Sequence, residues 1–172
     1  MISGRNINVR FGTRQILCDV DVDIPFGQVV ALCGPNGAGK STLLSVLAGD
    51  LKDTKGRVTF GAFPSSALTP VELAQKRAVL EQSPSLSAQF TVDQLVRLSV
   101  PIELPLPETD DLVQVVLQDL GLAKFQVTPV AQLSGGQRHR AHLARVLAQL
   151  RANGDLFGPN FLFLDEPTAS LD

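Results

Sequence analysis

The sequence predicts an α/β fold, and three observations carry that expectation. The apolar run Val29-Val30-Ala31-Leu32-Cys33 reads as a buried strand. It is followed by Gly34-Pro35-Asn36-Gly37-Ala38-Gly39-Lys40-Ser41, with Thr42 next, and then by Leu43-Leu44-Ser45-Val46-Leu47, the first turns of a helix. Near the other end, Phe161-Leu162-Phe163-Leu164 reads as a second buried strand that closes on Asp165-Glu166.

Strand, glycine loop and helix in this order are the setting of a phosphate-binding P-loop. Glycines admit backbone angles that a side chain forbids, so successive amide N–H groups turn inward around a phosphate at the positive end of a helix. Lys40 then reaches the β- and γ-phosphates, and the Ser41 hydroxyl is placed to ligate Mg²⁺. Gly34, Gly37 and Gly39 do not match the G-x-G-x-x-G spacing of a dinucleotide fold. The expected ligand is a nucleoside triphosphate.

Composition sets the outer bounds. The chain has 172 residues, of which 44% are hydrophobic and 19% charged, enough for a single domain with a sizeable core. Fifteen basic against seventeen acidic residues leave a formal charge of -2, which gives no basis for a nucleic-acid partner or an anionic-membrane surface. The N-terminal residues lack the apolar core of a signal peptide, and no apolar run approaches the roughly twenty residues that span a bilayer. A cytoplasmic protein is expected. Cys18 and Cys33 lie in apolar, strand-like segments and read as small core residues.

In chain order, Asn8 to Phe11 and Ile16 to Ile24 alternate with period two, with Ile16, Cys18, Val20, Val22 and Ile24 on one side. Broken by Gly12-Thr13-Arg14, they predict an antiparallel hairpin or a pair of neighbouring strands. Phe11 ends the first of them, and two readings stay open for it: a ring that stacks on a purine, or a satellite core position. Pro25-Phe26-Gly27-Gln28 is a turn into the P-loop strand, and Gly49 is placed to stop the following helix. Gly56 to Phe60 reads as a short strand. Thr69-Pro70-Val71-Glu72 is a helix start with a capping box. Arg77 to Glu81 reads as a strand that Gln82 ends, before a polar loop from Ser83 to Gln89. A Gln at such a strand end is either plain loop or a contact to Mg²⁺ or an attacking water.

From Thr91 the pattern turns helical. Thr91-Val92-Asp93-Gln94 caps one helix; Pro101 to Pro107 is a connection; Thr109-Asp110-Asp111 opens a helix with Leu112, Val115, Val116 and Leu120 on one face and Gly121 as its stop. Residues from about 84 to 150 therefore read as a helical insertion in an α/β protein. Within it, Leu133-Ser134-Gly135-Gly136-Gln137 directly precedes a helix carrying Leu143, Ala144, Leu147 and Leu150. Ser134 and Gln137 have capping-box spacing, and the two glycines bare backbone N–H groups at a positive helix end, a second anion site. The P-loop's phosphate cannot be reached by both loops from one side, so this site is expected to meet a nucleotide held by another subunit. His139 and His142 read as a solvated face of that helix. Asp165, at a strand's carboxyl end, is expected to hold Mg²⁺ through water, and Glu166 to orient and deprotonate the attacking water.

Taken together, the P-loop, Leu133 to Gln137, and Phe161 to Glu166 followed by Ala169-Ser170-Leu171-Asp172 resemble the ATP-binding subunit of ABC transporters along the whole chain. The resemblance implies a P-loop NTPase (RecA-like) core with N-terminal antiparallel β strands and an inserted α-helical subdomain. It implies adenine stacking for Phe11, the Q-loop place for Gln82 and the D-loop place for Asp172. It also implies a head-to-tail homodimer that sandwiches two ATP molecules, coupled to two transmembrane permease subunits and through them to a substrate-binding protein. Those permeases would dock near Gln82 and the helical insertion, on the inner face of the membrane. Arg77 to Ser83, Phe90-Thr91-Val92, Leu143 to Leu150 and the loop of Asn153 to Asn160 are similar to bacterial haemin-import ATPases, with iron-siderophore and cobalamin import as the neighbouring alternatives. The family continues beyond the D-loop to a switch His, whereas this sequence stops at Asp172, so it is expected to bind ATP better than it hydrolyses it. A non-catalytic nucleotide-binding module is the competing expectation; a soluble ABC protein of translation or DNA repair ranks below both.

Overall fold

The computed structural model describes residues 1–52, 55–82 and 89–166. The chain forms two compact units, Met1–Arg77 and Ala78–Asp172.

The first unit is a four-stranded antiparallel sheet with two helices. β1 (Ile2–Phe11) and β2 (Arg14–Ile24) form a hairpin whose tight turn is Gly12-Thr13, and α1 (Lys40–Ala48) follows the glycine loop. β3 (Lys55–Phe60) pairs with the other side of β1, β4 (Phe63–Pro64) pairs with β3, and α2 (Pro70–Lys76) ends the unit. The strand order is β2-β1-β3-β4. Ile2, Ile7 and Val9 of β1 are buried, as are Leu43, Val46 and Leu47 of α1. α1 comes so close to the sheet that a Cβ on Gly4 would stand 3.2 Å from Leu47 Cδ2 and 2.5 Å from Ile7 Cδ1.

The hairpin departs from simple alternation. Between the pairs Ile7↔Val20 and Val9↔Leu17, β2 advances three residues while β1 advances two, and Asp19 takes φ 50°. This bulge exchanges the faces of β2. Leu17 is buried and Cys18 exposed, which corrects the expectation that Ile16, Cys18 and Val20 share a face and that Cys18 is a core residue.

A second correction concerns Val29 to Cys33. The stretch is irregular, Val29 is 100% exposed, and Cys33 is exposed as well. A strand exists by its ladder, and a buried one needs neighbours on both edges and cover on both faces. β1 to β4 pair among themselves, and residues 29–33 pair with none of the described strands.

α2 starts as expected, with Thr69 and Glu72 in a reciprocal capping box. Gly49 ends α1 at φ 80°, its N–H bonded to the carbonyls of Ser45 and Val46. Arg77 ties the end of this unit to α1. Its Nε donates to the Ala48 carbonyl and its Nη2 lies 2.6 Å from Asp50 Oδ1.

β5 (Arg77–Leu80) starts on the last residue of the first unit and its other residues open the second, which is otherwise built from α3 (Val92–Arg97), α4 (Leu106–Asp119), α5 (Gly135–Phe157) and β6 (Phe161–Leu164). β5 and β6 form a two-stranded sheet. α5 packs on both sides. Ala141, Ala144 and Ala148 join Val92, Leu95 and Val96 of α3 and Val113, Val116 and Leu117 of α4 in one apolar cluster. Val146, Leu143 and Leu150 pack instead with Ala78, Leu80 and Leu164 of the strands. Small residues on one side and larger ones on the other let α5 bridge helices and sheet.

α4 opens one turn before the expected Thr109, with Pro107 in its first turn, where a missing N–H leaves no hydrogen bond unmade. Thr109 is then interior and donates its hydroxyl to the Leu104 carbonyl. The buried stripe is accordingly Val113, Val116 and Leu117, while Val115 is 46% exposed. Past Gly121 (φ 65°), the N–H of Leu122 returns to the Leu117 carbonyl at 2.7 Å and that of Gly121 to Gln118 at 3.0 Å, a Schellman closure that seats buried Leu122 in the cluster. Leu117→Ala is expected to cost about 2–5 kcal/mol of unfolding free energy, read from urea titrations. In β6, Phe161 and Phe163 are buried but Leu162 is 36% exposed, so this strand is covered on one face rather than on two. The expected loop from Ser83 and the expected Ala169 to Asp172 stretch lie outside the described residues, apart from Gln89.

Candidate functional site

The glycine loop is the first piece of the site. Gly34, Gly37 and Gly39 have φ of 159°, 79° and 91°. Gly39 is the N-cap of α1 in a left-handed conformation, and a Cβ there would lie 2.9 Å from Leu17 Cδ2 and 3.3 Å from the Ile16 carbonyl. Both the backbone angle and the space therefore require glycine at this position. No side chain caps α1, so its first-turn amides are left to an external acceptor. The Lys40 ammonium reaches back across the loop, 3.0 Å from the Gly34 carbonyl and 2.9 Å from that of Pro35. Pro35, Asn36, Ala38 and Ser41 are exposed, and Thr42 is half-buried in the first turn. Amides, an ammonium and two hydroxyls at the positive end of a helix form a donor set that fits a polyphosphate. Phe11 stands 53% exposed at the end of β1, with its ring open to contact.

The second piece lies where β5 and β6 end. The N–H of Asp165 donates to the Leu80 carbonyl at 3.0 Å and extends the pairing past the last residues of the strands. One residue on, Gln82 Nε2 donates to Glu166 Oε2 at 2.6 Å. Glu166 is a non-glycine residue at φ 48°, in the sparsely populated left-handed region where local strain is often tied to function. The sequence pattern singles out Gln82 and Glu166 separately but not their contact. In the structure each lies two positions past its strand's last residue, a match that the sequence reading hides by carrying the first strand one residue further, to Glu81.

Asp165 supplies a carboxylate, Gln82 an amide carbonyl and Ser41 a hydroxyl. These are hard oxygen donors of the kind Mg²⁺ takes alongside substrate phosphates. Among the described residues no group of three or more His, Cys, Asp and Glu side chains is placed to hold a metal ion.

The third piece is the start of α5. Ser134 caps it: Gln137 N–H donates to Ser134 Oγ at 3.3 Å, and Ser134 N–H donates to Gln137 Oε1 at 2.9 Å. This reciprocal box occupies the polar ends of Ser134 and Gln137. Gly135 and Gly136 begin the helix with nothing within 4 Å of a Cβ built on Gly135.

His139 and His142, further along α5, are buried, 8% and 2% exposed, which corrects their reading as a solvated face. A helix packed on two sides leaves little of its surface to solvent. Neither ring nitrogen of His142 has a hydrogen-bond partner. Burial, aided by electrostatic interaction with the neighbouring Arg145, His139 and Arg138, depresses its pKa to about 4. The unfolded chain takes up this proton near pH 6.5, while the native state resists it until about pH 4. Stability is thus expected to fall as the pH drops from about 6.5 to 4, by about 3 kcal/mol for this group. Urea titrations at pH 7 and pH 4.5 check it, and His142→Leu is expected to flatten that part of the dependence.

A groove of about 430 Å³ is lined by Gln89, Phe90, Gln94, Arg97 and Leu98. Arg97 is held at its edge by Asp93 (2.7 Å) and Asp110 (2.5 Å), which raise its pKa through hydrogen bonding. Leu98, Ile102 and Leu106 nearby in the chain are 64%, 96% and 77% exposed. No described helix is long and apolar enough to cross a membrane.

The family described as ABC transporter matches residues 17–169. The chain is 41% identical over 171 residues to the hemin import ATP-binding protein HmuV of Rhodopseudomonas palustris (strain HaA2), with 99% of this chain and 65% of the relative covered. It is 41% identical to HmuV of Bradyrhizobium diazoefficiens over 100% of this chain and 64% of the relative. Its identity to HmuV of Vibrio parahaemolyticus serotype O3:K6 is also 41%, with 100% and 65% covered. The chain thus spans a little under two thirds of the length of these relatives.

Proposed function

We propose a function from one premise: the chain belongs to the ABC transporter family. It is the ATP-binding and ATP-hydrolysing subunit of an importer that takes haemin or a related iron chelate into the bacterial cytoplasm. The observation that carries this reading is the start of α1, where an uncapped helix end, left-handed Gly39 and the Lys40 ammonium lying over the loop form a polyphosphate cradle. The substrate class rests on the hemin-import relatives, which lie along essentially the whole chain.

In this reading Gly34 to Thr42 bind the phosphates of ATP and Phe11 stacks on the adenine. Ser41, Gln82 and Asp165 would hold Mg²⁺, which when bound would offset the negative charge of the phosphates. Lys40 stabilises that charge as well. Glu166 takes the proton of the attacking water. Ser134 to Gln137 engage the ATP of a second copy in a head-to-tail homodimer, through the amides of Gly135 and Gly136 rather than the polar ends already used in the cap. Residues from about 84 to 150 act as an inserted helical subdomain. In each copy of the homodimer the groove at Phe90 and Leu98, with exposed Ile102 and Leu106, receives a helical segment of one of the two permease subunits. The protein is then peripheral on the inner face of the membrane, linked to a substrate-binding protein only through those permeases.

The test uses a bacterium that lacks its own hemin-import ATPase subunit, given hemin as sole iron source. Restored growth with this protein, lost with Lys40→Ala, supports the reading. Restored growth on an iron-siderophore but not on hemin would move the substrate class, and restoration by Lys40→Ala would refute the ATP-driven role.

A further inference from the structure

We propose that a groove between α4 and α5 is a docking site for a partner protein that presents a basic amphipathic helix to it. The groove has a volume of about 610 Å³ and lies wholly within the second unit. It shares no lining residue with the groove at Phe90 and Leu98 or with the ATP site. The inference goes beyond the ATPase reading and does not depend on it.

Much of the lining is apolar. Leu112 and Val115 come from α4 and Leu150 from α5. Leu112 and Leu150 rest partly on the core clusters, but Val115 stands off the buried stripe of its helix, 46% exposed. Gly154 follows Leu150 by one turn, on the same side of α5. It is not the residue that ends the helix, which is Gly158 at φ 83°. A Cβ on Gly154 would meet nothing within 4 Å, so neither backbone angle nor internal packing demands glycine there. What the missing side chain leaves is room for an outside surface to come close to the helix backbone.

Charge selects the partner. Asp111 of α4 and Asp155 of α5 are exposed lining residues, and neither has an ion-pair partner among the described residues. Arg151, the cation of the lining, is already engaged by Asp119 at 2.9 Å. Asp155 also stands in the last turn of α5, which holds no basic residue, at a helix end where the dipole favours a cation. Two free carboxylates and a negative helix end beside an apolar trough complement a ridge of apolar side chains flanked by Lys or Arg. An amphipathic helix lays out both, and an acidic segment would be repelled.

The test is fluorescence anisotropy of this chain with a labelled synthetic helical peptide of about 18 residues, five turns, with leucines on one face and lysines beside them. Binding is expected, and a scrambled peptide of the same composition, or one with glutamate in place of lysine, should bind far more weakly. Gly154→Gln fills the gap without entering the core, and Val115→Asp sets a charge on the apolar lining. Each is expected to raise Kd by about tenfold or more, while the melting temperature holds. Asp111→Asn with Asp155→Asn should raise Kd about threefold to tenfold, a difference that roughly 0.5 M NaCl should erase. No binding, equal binding of the scrambled peptide, or binding that survives both Gly154→Gln and Val115→Asp overturns the proposal. So does self-association of the nucleotide-free chain in sedimentation velocity that Gly154→Gln abolishes, which assigns the groove to a second copy.

Discussion

Glu166→Gln is expected to lower ATP turnover by about 10²–10⁴-fold while ATP binding persists, the range for losing a positioned general base. The amide keeps the shape of the carboxylate and removes its ability to accept a proton. Its neighbour gives the variant a second consequence. Gln82 Nε2, 2.6 Å from Glu166 Oε2, would still find a carbonyl oxygen to donate to if the new side chain presents that end. The fold around the ends of β5 and β6 should therefore hold, and unfolding midpoints of the variant and the parent should agree. Single-turnover rates with radiolabelled ATP measure the effect. A rate within a fewfold of the parent would place the base elsewhere and revive the non-catalytic reading of this chain.

Lys40→Ala is expected to weaken ATP binding about tenfold to a hundredfold, since a charge-assisted hydrogen bond contributes about 1.5–3 kcal/mol and each 1.4 kcal/mol is tenfold. Stability without nucleotide should change little. The Lys40 ammonium donates to the carbonyls of Gly34 and Pro35, which stand on an exposed stretch where water can replace it. This separates Lys40 from Gly39, where any side chain meets Leu17 and the Ile16 carbonyl and would disturb the packing of α1 on β2. Titration of a fluorescent ATP analogue reads the difference directly.

What could be read from the sequence and what could not divides along the range of the interaction. The three capping boxes at Thr69/Glu72, Thr91/Gln94 and Ser134/Gln137 are local, three residues apart, and all three form as their spacing indicates. Gly49 and Gly121 end their helices for the same reason: a left-handed residue answers to its own backbone. Misreadings arise where the outcome is decided by residues far away in the chain. Cys18 faces solvent because of a bulge that appears only when β2 is laid against β1, with Asn8 Oδ1 accepting from the Asp19 N–H across the strands. Val29 to Cys33 has the composition of a strand, but composition supplies no ladder partner. His139 and His142 carry polar side chains, yet α5 is packed by helices on one side and by β5 and β6 on another, so polarity alone misplaces them. α4 shows a smaller error of the same kind: Thr109-Asp110-Asp111 looks like a start, but Pro107 serves equally well one turn earlier.

The candidate site follows the same division. Gly34 to Ser41 is contiguous, and its glycines, lysine and hydroxyl declare their chemistry without help from the fold. Gln82 and Glu166 are 84 residues apart, and only the pairing of β5 with β6 brings them within a hydrogen bond. The bridge that seats this pair also depends on α5, whose Arg145 donates to the Val79 carbonyl of β5 at 3.3 Å while Val146 packs on Leu80.

The most direct measurement is a thermal melt of this chain with and without Mg-ATP, run beside Lys40→Ala. A ligand that binds only the native state, present at about a hundred times its dissociation constant, adds roughly 2.7 kcal/mol, enough to move the midpoint by several degrees. The account predicts a clear rise with Mg-ATP and little or none in Lys40→Ala. An unchanged midpoint in the parent chain, or the same rise in both proteins, would contradict the claim that the loop from Gly34 to Ser41 is an ATP site.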